Sequence, residues 1–297
     1  MPDPGRVGLW TFALDRQPAA RACELAAELE ALGYGAVWLP EAVGRDPLVH
    51  AALLLSATER LTVATGIASI HGRAPLMMSS GWRTLSEAFP GRFVLGLGVS
   101  HAPMVEGLLQ KSYGKPLTAM REYLDAMDAA FYAAAPPPDD PAPRRVLAAL
   151  GPKMLELARD RTDGAHPYNI TPEHTARARE VLGPDKWLAP EQAVALETDP
   201  DEARRIGRAH LAVYLGLPNY TNNLLTLGFT EDDIASPGSD RLVDALVAWG
   251  DADTIAARVR EHHDAGADHV AVQVVTSDAY EGLPLPQWRE LAPALTG

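Results

Sequence analysis

The chain has 297 residues, of which 47% are hydrophobic and 22% charged, and carries a formal charge of −13. That balance supplies ample apolar material for a folded core and excludes a mostly disordered chain. The excess of acid repels phosphate backbones and anionic lipid, which leaves a small organic molecule as the natural partner and no nucleic acid or membrane surface.

The start, MPDPGRVGLW, has neither the basic region nor the apolar run of a secretory leader, and no run of about 18 apolar residues follows. A cytoplasmic protein is expected. Residues 5–12 form a short apolar strand, and Pro18 opens a helix with Ala22, Leu25, Leu29 and Leu32 on one face. Gly33 ends that helix, and AVWLP (36–40) follows as a second strand. The lone cysteine, Cys23, falls among Ala and Leu and reads as a small core residue. Asp46 and Pro47 cap a helix over 47–58, LTVATGIAS (61–69) is the third strand, and a helix near 76–88 leads into RFVLGLGVS (92–100). A helix over 116–134 carries Leu117, Met120, Leu124, Met127 and Phe131 at helical spacing.

PPPDDPAP (136–143) is a loop by composition, after which the strand and helix alternation resumes at once. Strands fall at 145–150, near 164–168, at 188–195 and at 269–275, and helices at 153–161 and 172–182. A helix with Ile255 and Val259 precedes the last strand, with Gly266 as its stop. Eight near-continuously apolar strands alternating with helices favour one domain over 1–297, a closed (β/α)8 TIM barrel, over an open doubly wound sheet. About seventy residues separate strand seven from strand eight, so residues near 217–250 are expected to form an extra helical insertion.

In a barrel, polar residues at the C-terminal ends of strands face the reactive mouth. His101, after strand four, is therefore a candidate acid or base, and Glu41, after strand two, has the same placement. Glu41 has the alternative role of capping a helix or pairing with Arg45. GLGVS (96–100) lacks the third glycine of a dinucleotide fingerprint, has Pro103 where a helix should start, and is followed by no acidic residue at the ribose position. EHHDAGADH (261–269) places His262 and His263 on different sides of a helix without metal-ligand spacing, and reads as solvated surface with no metal. In ALGPKMLE (149–156) a strand ends, Gly151 permits close approach, Pro152 starts a helix, and Lys153 sits in its first turn. An anion, such as a phosphate, suits that terminus.

Taken together, VGLWTF, LGYGAVWLPEAVGRDP, TGIAS, GRFVLGLGVSH, KPLTAMREYLDAM, ALGPKMLELARDRTDG and DALVAWGDADTIAARVREHHDAGADHV carry a resemblance. The chain resembles the luciferase-like monooxygenase superfamily, in particular its branch of coenzyme F420-dependent oxidoreductases. The resemblance covers nearly the whole chain. It implies a bacterial luciferase-like barrel, a homodimer, and a cis peptide between Gly66 and Ile67 that backs a tricyclic ring cofactor, with Ala68 beside it. It implies a ring near Trp10, Gly98 and Ser100, and a cofactor phosphate near Gly151, Pro152, Lys153 and Met154. His101 and Glu41 are then the catalytic candidates. Where relatives place a histidine soon after strand two, this chain has Ala42 and Val43. The implied activity is hydride transfer between deazaflavin F420 and a small organic molecule. An FMN-dependent monooxygenase is the alternative, and a non-redox barrel enzyme acting on a phosphorylated substrate is a further one.

Overall fold

The computed structural model describes residues 4–278 and 282–297. The elements in chain order are β1 (Val7–Trp10), α1 (Ala19–Ala31), β2 (Ala36–Leu39), α2 (Pro47–Ser56), β3 (Thr62–Thr65), β4 (Ala68–Ser69), α3 (Pro75–Ala88), β5 (Phe93–Gly98), α4 (Pro116–Asp128), β6 (Arg144–Leu147), α5 (Pro152–Arg161) and β7 (Gly164–Ala165). They continue with α6 (Pro172–Leu182), β8 (Trp187–Leu188), β9 (Glu191–Leu196), α7 (Pro200–Leu211), α8 (Pro218–Thr226), α9 (Glu231–Ile234), α10 (Asp240–Leu246), β10 (Val247–Gly250), α11 (Ala252–Asp264), β11 (Val270–Val274) and α12 (Leu285–Thr296).

Proline punctuates this alternation. The helices α2 to α8 each begin on proline, at the position where a missing N–H removes no hydrogen bond and the fixed φ suits the first turn. Aspartates complete several of these starts: Asp46 accepts from the backbone of Leu48 and Val49, Asp199 from Asp201 and Glu202, and Asp251 from Thr254. Gly33 and Gly266, at φ +92° and +102°, turn the chain out of α1 and α11 as the sequence implied.

All strand pairings are parallel, in the order β10, β9, β11, β1, β2, β3, β5, β6, β7, β8, with β4 on β5. Strands β8 and β9 are parts of one run interrupted at Ala189 and Pro190. Its lower part pairs with β7 and its upper part with β11, so the circuit closes as an eight-stranded (β/α)8 barrel. The added strand β10 lies on the free edge of β9. The segment read as a helical insertion thus contains α8, α9 and α10 and ends in this strand, where Val247 and Trp249 can pair edge to edge. A separate apolar cluster holds it in place, with Leu211, Leu224, Leu242, Val243, Leu246 and Val247 packed on Ala193 and Ala195.

The main core lies between strands and helices, where Leu9, Val37, Val63, Leu95, Val194 and Val272 meet the apolar helix faces. Three expectations are corrected here. The helix α4 stops at Asp128, which binds Arg145 and Arg161, and Phe131 beyond it is 82% exposed. His262 and His269 are not solvated surface but are fully buried. His262 is held between Thr175 Oγ1 and Gln192 Oε1, each at 2.8 Å, whereas His269 lies inside the barrel. Cys23 is half-buried at the edge of the core. Among the described residues, no helix is long and apolar enough to cross a membrane.

Candidate active site

The barrel interior is filled by aromatic rings. Trp38 stacks on Trp187 with centroids 5.6 Å apart and on His166 at 4.1 Å, nearly parallel in both cases. Trp38 Nε1 donates to His269 Nε2 at 3.1 Å, which leaves the His269 proton on Nδ1, donated to the Gly5 carbonyl at 2.8 Å. His166 is fixed in the same way, with Nδ1 donating to the Ala189 carbonyl at 2.6 Å. Its Nε2 is then a bare acceptor, buried and without a partner. Burial holds the His166 ring neutral, with its pKa pushed down to about 4.

Above this stack lies the interrupted third strand. The peptide between Gly66 and Ile67 is cis, the geometry the resemblance implied. Trp10 Nε1 donates to the Gly66 carbonyl at 2.8 Å. A Cβ on Gly66 would lie 2.8 Å from Trp10 Nε1 and 3.2 Å from His166 Nε2, so only glycine lets the backbone pass here. A Cβ on Gly98 would collide with the Ile67 side chain. Ala68 is fully buried in β4, and Ser100 takes a left-handed φ of +57° just before His101.

His101 is mostly buried, hydrogen-bonded to the Asn219 side chain, and 5.6 Å from the Tyr220 ring. Burial holds its pKa below the usual histidine value, the Asn219 bond acting weakly the other way, so the ring is neutral at pH 7. Glu41 has a different surrounding from the Arg45 pairing considered above. Its Oε2 accepts from Ser69 N at 2.6 Å and Arg73 Nη1 at 2.9 Å, and its Oε1 accepts from Arg73 Nη2 at 2.7 Å. Arg73 also pairs with Asp46 at 2.7 Å. The Arg45 guanidinium instead donates to the Leu14 and Gln17 carbonyls, and its backbone N–H donates to the Asp15 carboxylate.

The first turn of α5 is open. Gly151, Pro152 and Lys153 are exposed, Met154 is half-buried against the core, and no side chain caps the helix. Nothing approaches the position a Gly151 Cβ would take. Pro152 has no N–H and Met154 donates to the Gly151 carbonyl at 3.1 Å, so what this terminus offers an anion is the Lys153 N–H and the positive end of the helix dipole.

Sequence reasoning missed a second group at this end of the barrel. Tyr168 packs on Trp10 at 5.0 Å, on Tyr214 at 5.3 Å and on Tyr220 at 6.2 Å. Its hydroxyl donates to Gln273 Oε1 at 2.7 Å and meets the Tyr214 hydroxyl at 2.6 Å. Next to it, Asn169 donates its backbone N–H to Glu191 Oε2 at 3.0 Å. The second Glu191 oxygen and both polar atoms of the Asn169 side chain are buried without a partner. Full burial pushes the Glu191 carboxyl up to about 8, only partly opposed by the Asn169 bond. A legible signal existed for one of these residues, since Glu191 is the single charge in the apolar run LAPEQAVAL. The tyrosines come from separate loops and helices, and no local spacing links them.

A closed parallel barrel with its buried histidine, aromatic wall and open helix terminus at one mouth is the architecture of a barrel enzyme. The chain belongs to the luciferase-like monooxygenase family, whose model matches residues 5–269. Among its relatives is a Mycobacterium tuberculosis protein named provisionally as a coenzyme F420-dependent oxidoreductase, 29% identical over 192 residues that make up 62% of this chain and 54% of that one. The chain spans about half the length of the curated relatives it matches first. An F420-dependent secondary alcohol dehydrogenase, solved with an F420-acetone adduct, shares the fold with a TM-score of 0.75 at 14% identity, covering 99% of this chain and 100% of that one. The oxygenating component of 3,6-diketocamphane monooxygenase from Pseudomonas putida, solved with FMN, gives a TM-score of 0.70 at 16% identity, covering 98% and 96%.

Proposed function

We propose that the chain is an oxidoreductase that moves a hydride between deazaflavin coenzyme F420 and a small organic substrate. The observation that carries this reading is the Gly66–Ile67 segment. It is a stretch of backbone at the barrel mouth that Gly66 leaves bare beside Trp10, with the Ile67 side chain seated against Gly98 and an uncapped helix terminus on the same end of the barrel. These features suit a tricyclic ring with a phosphate tail. Gly66, Ile67, Ala68, Gly98 and Ser100 would back the ring, and Gly151, Pro152, Lys153 and Met154 would hold the phosphate. The deazaflavin, when bound, supplies or takes up the hydride.

The protein must then manage one proton, because a hydride added to a carbonyl carbon requires a proton at the oxygen. Neutral His101 takes the hydroxyl proton in alcohol oxidation and returns it in ketone reduction. Glu41, with both oxygens engaged by Arg73 and the backbone of Ser69, acts as a positioning residue that ties β4 to the end of β2. Replacing His101 with glutamine should lower kcat/KM for alcohol oxidation by about 10²- to 10⁴-fold. In the unaltered enzyme that rate should stay level at neutral pH and fall only in acid, below the ordinary histidine value of about 6.5, because the base must be unprotonated. An unchanged rate in the glutamine variant would remove His101 from the chemistry.

An FMN-dependent monooxygenase is the second reading, favoured by the likeness to the FMN-bound camphane enzyme. A fluorescence titration of the purified protein with F420 and with FMN separates the two. Saturable binding of F420 and none of FMN is expected, and the opposite pattern would replace the first reading with the second.

A further inference from the structure

The mouth also bears on what the substrate is. Its walls are aromatic and come from three directions: Trp10 and Phe12 from β1 and its end, Tyr168 from the loop after β7, and Tyr214 and Tyr220 from the segment between α7 and α9. Trp10 meets Phe12 edge-on at 5.0 Å, and Tyr214 meets Tyr220 edge-on at 5.2 Å. His101 joins them through Tyr220. Trp10, Tyr214 and Tyr220 are buried in this contact and Phe12 and Tyr168 half-buried, so the surface they form is flat and apolar with hydroxyl tips.

Among the described residues, the ionisable groups around these rings are neutral or already paired. His101 and His166 are neutral at pH 7, and the Glu191 carboxyl keeps its proton to about pH 8. At the rim, Arg73 is bound by Glu41 and Asp46, and the Lys111 ammonium donates to the His71 carbonyl at 2.7 Å. Lys153 lies at the α5 terminus, which the proposed function assigns to the cofactor phosphate. An ionised substrate entering the aromatic enclosure would lose its hydration without finding a counter-charge among the described residues, a large penalty in an apolar site. A neutral polar group meets no such penalty. The tyrosine hydroxyls and the neutral His101 are uncharged donors and acceptors that suit one.

We propose that the substrate is an uncharged ring compound bearing one carbonyl or hydroxyl group, held against Tyr168, Tyr214 and Tyr220, and that its ionised analogues are rejected. This rests on the reading of the mouth as an oxidoreductase site. Two probes built on one ring test it, the neutral aryl ketone acetophenone and 4-acetylbenzoate, which adds a para carboxylate. Each is titrated into the full-length protein by calorimetry, with and without F420. Acetophenone should bind, and 4-acetylbenzoate should bind about 100-fold more weakly or not at all. Tyr220→Ala and Tyr168→Ala should each weaken acetophenone by about 10-fold or more. Carboxylate binding equal to or tighter than that of the ketone would overturn the proposal. So would failure of acetophenone to bind, or indifference to both tyrosine replacements. Because the ketone titration is also read without cofactor, failure of F420 to bind would sink the cofactor reading while leaving this result decisive by itself.

Discussion

Replacing Glu191 with glutamine should stabilise the protein, by an amount that grows as the pH rises. Glu191 is 1% exposed, and among the described residues its carboxylate has one partner, the backbone N–H of Asn169. In the folded chain it holds its proton to about pH 8, whereas an unfolded chain releases it near the ordinary value of 4.5. Between those limits the unfolded state binds fewer protons than the folded one, so stability falls as the pH rises. The accumulated cost near pH 8 is on the order of 3–5 kcal/mol, a large share of the stability of an ordinary domain. Glutamine keeps an acceptor for the Asn169 N–H, never ionises, and resembles the protonated acid in shape. Urea unfolding of both proteins should give nearly equal stabilities at pH 4.5 and a gap of several kcal/mol in favour of Glu191→Gln at pH 8. A variant that is less stable across the whole range would show that the carboxylate is ionised and paired in the folded state.

Loss of stability in mild acid is the second large effect. His50 and His166 are held neutral down to about pH 4, and His262 to about pH 3, each chiefly by burial. The neutral form of His262 is also fixed by its partners. Nε2 donates to Gln192 Oε1, which leaves Nδ1 to accept from the Thr175 hydroxyl. These groups are protonated near pH 6.5 in the unfolded chain but not in the folded one. Their contribution is therefore fully present above pH 6.5 and is lost as the pH falls towards 4, at about 1.4 kcal/mol per pH unit for each. His210, buried with its pKa also pushed down to about 4, adds a fourth such residue, and Glu191 opposes them by the same amount per unit, so the net slope is about 4 kcal/mol per unit, enough to unfold a typical domain before pH 4. Stability measured at pH 7, 6 and 5 should fall along that slope, and a level profile would contradict the burial of these rings.

The barrel was legible because its grammar is local. Proline at helix starts, glycine at helix ends and apolar runs between them fix the alternation of elements, and parallel strands buried on both faces leave few other architectures. The early end of α4 was not legible, because Phe131 continues the helical spacing while Asp128 is held by arginines distant in sequence. The strand β10 was hidden for a related reason, since its pairing edge exists only after β9 is in place.

The site divides in the same way. Gly98, His101 and Gly151 lie at ends of strands, where chain order alone predicts the mouth, whereas Gly66, inside the run read as the third strand, was marked by the resemblance. Glu41 was placed at the correct strand end, yet its partner Arg73 comes from the loop after β4 and not from the neighbouring turn. The reading of EHHDAGADH as surface failed because adjacent histidines on a helix face different environments, and His262 meets Thr175 and Gln192 from two other elements. Tyr168, Tyr214 and Tyr220 are brought together by tertiary packing alone.

A crystal structure of the protein soaked with F420 tests the central claim most directly. The ring should lie over the Gly66–Ile67 segment with Trp10 alongside, its phosphate should meet the first turn of α5 at Gly151 to Met154, and His101 should face the exposed side of the ring. A deazaflavin bound elsewhere, or an empty mouth at saturating cofactor, would contradict the account.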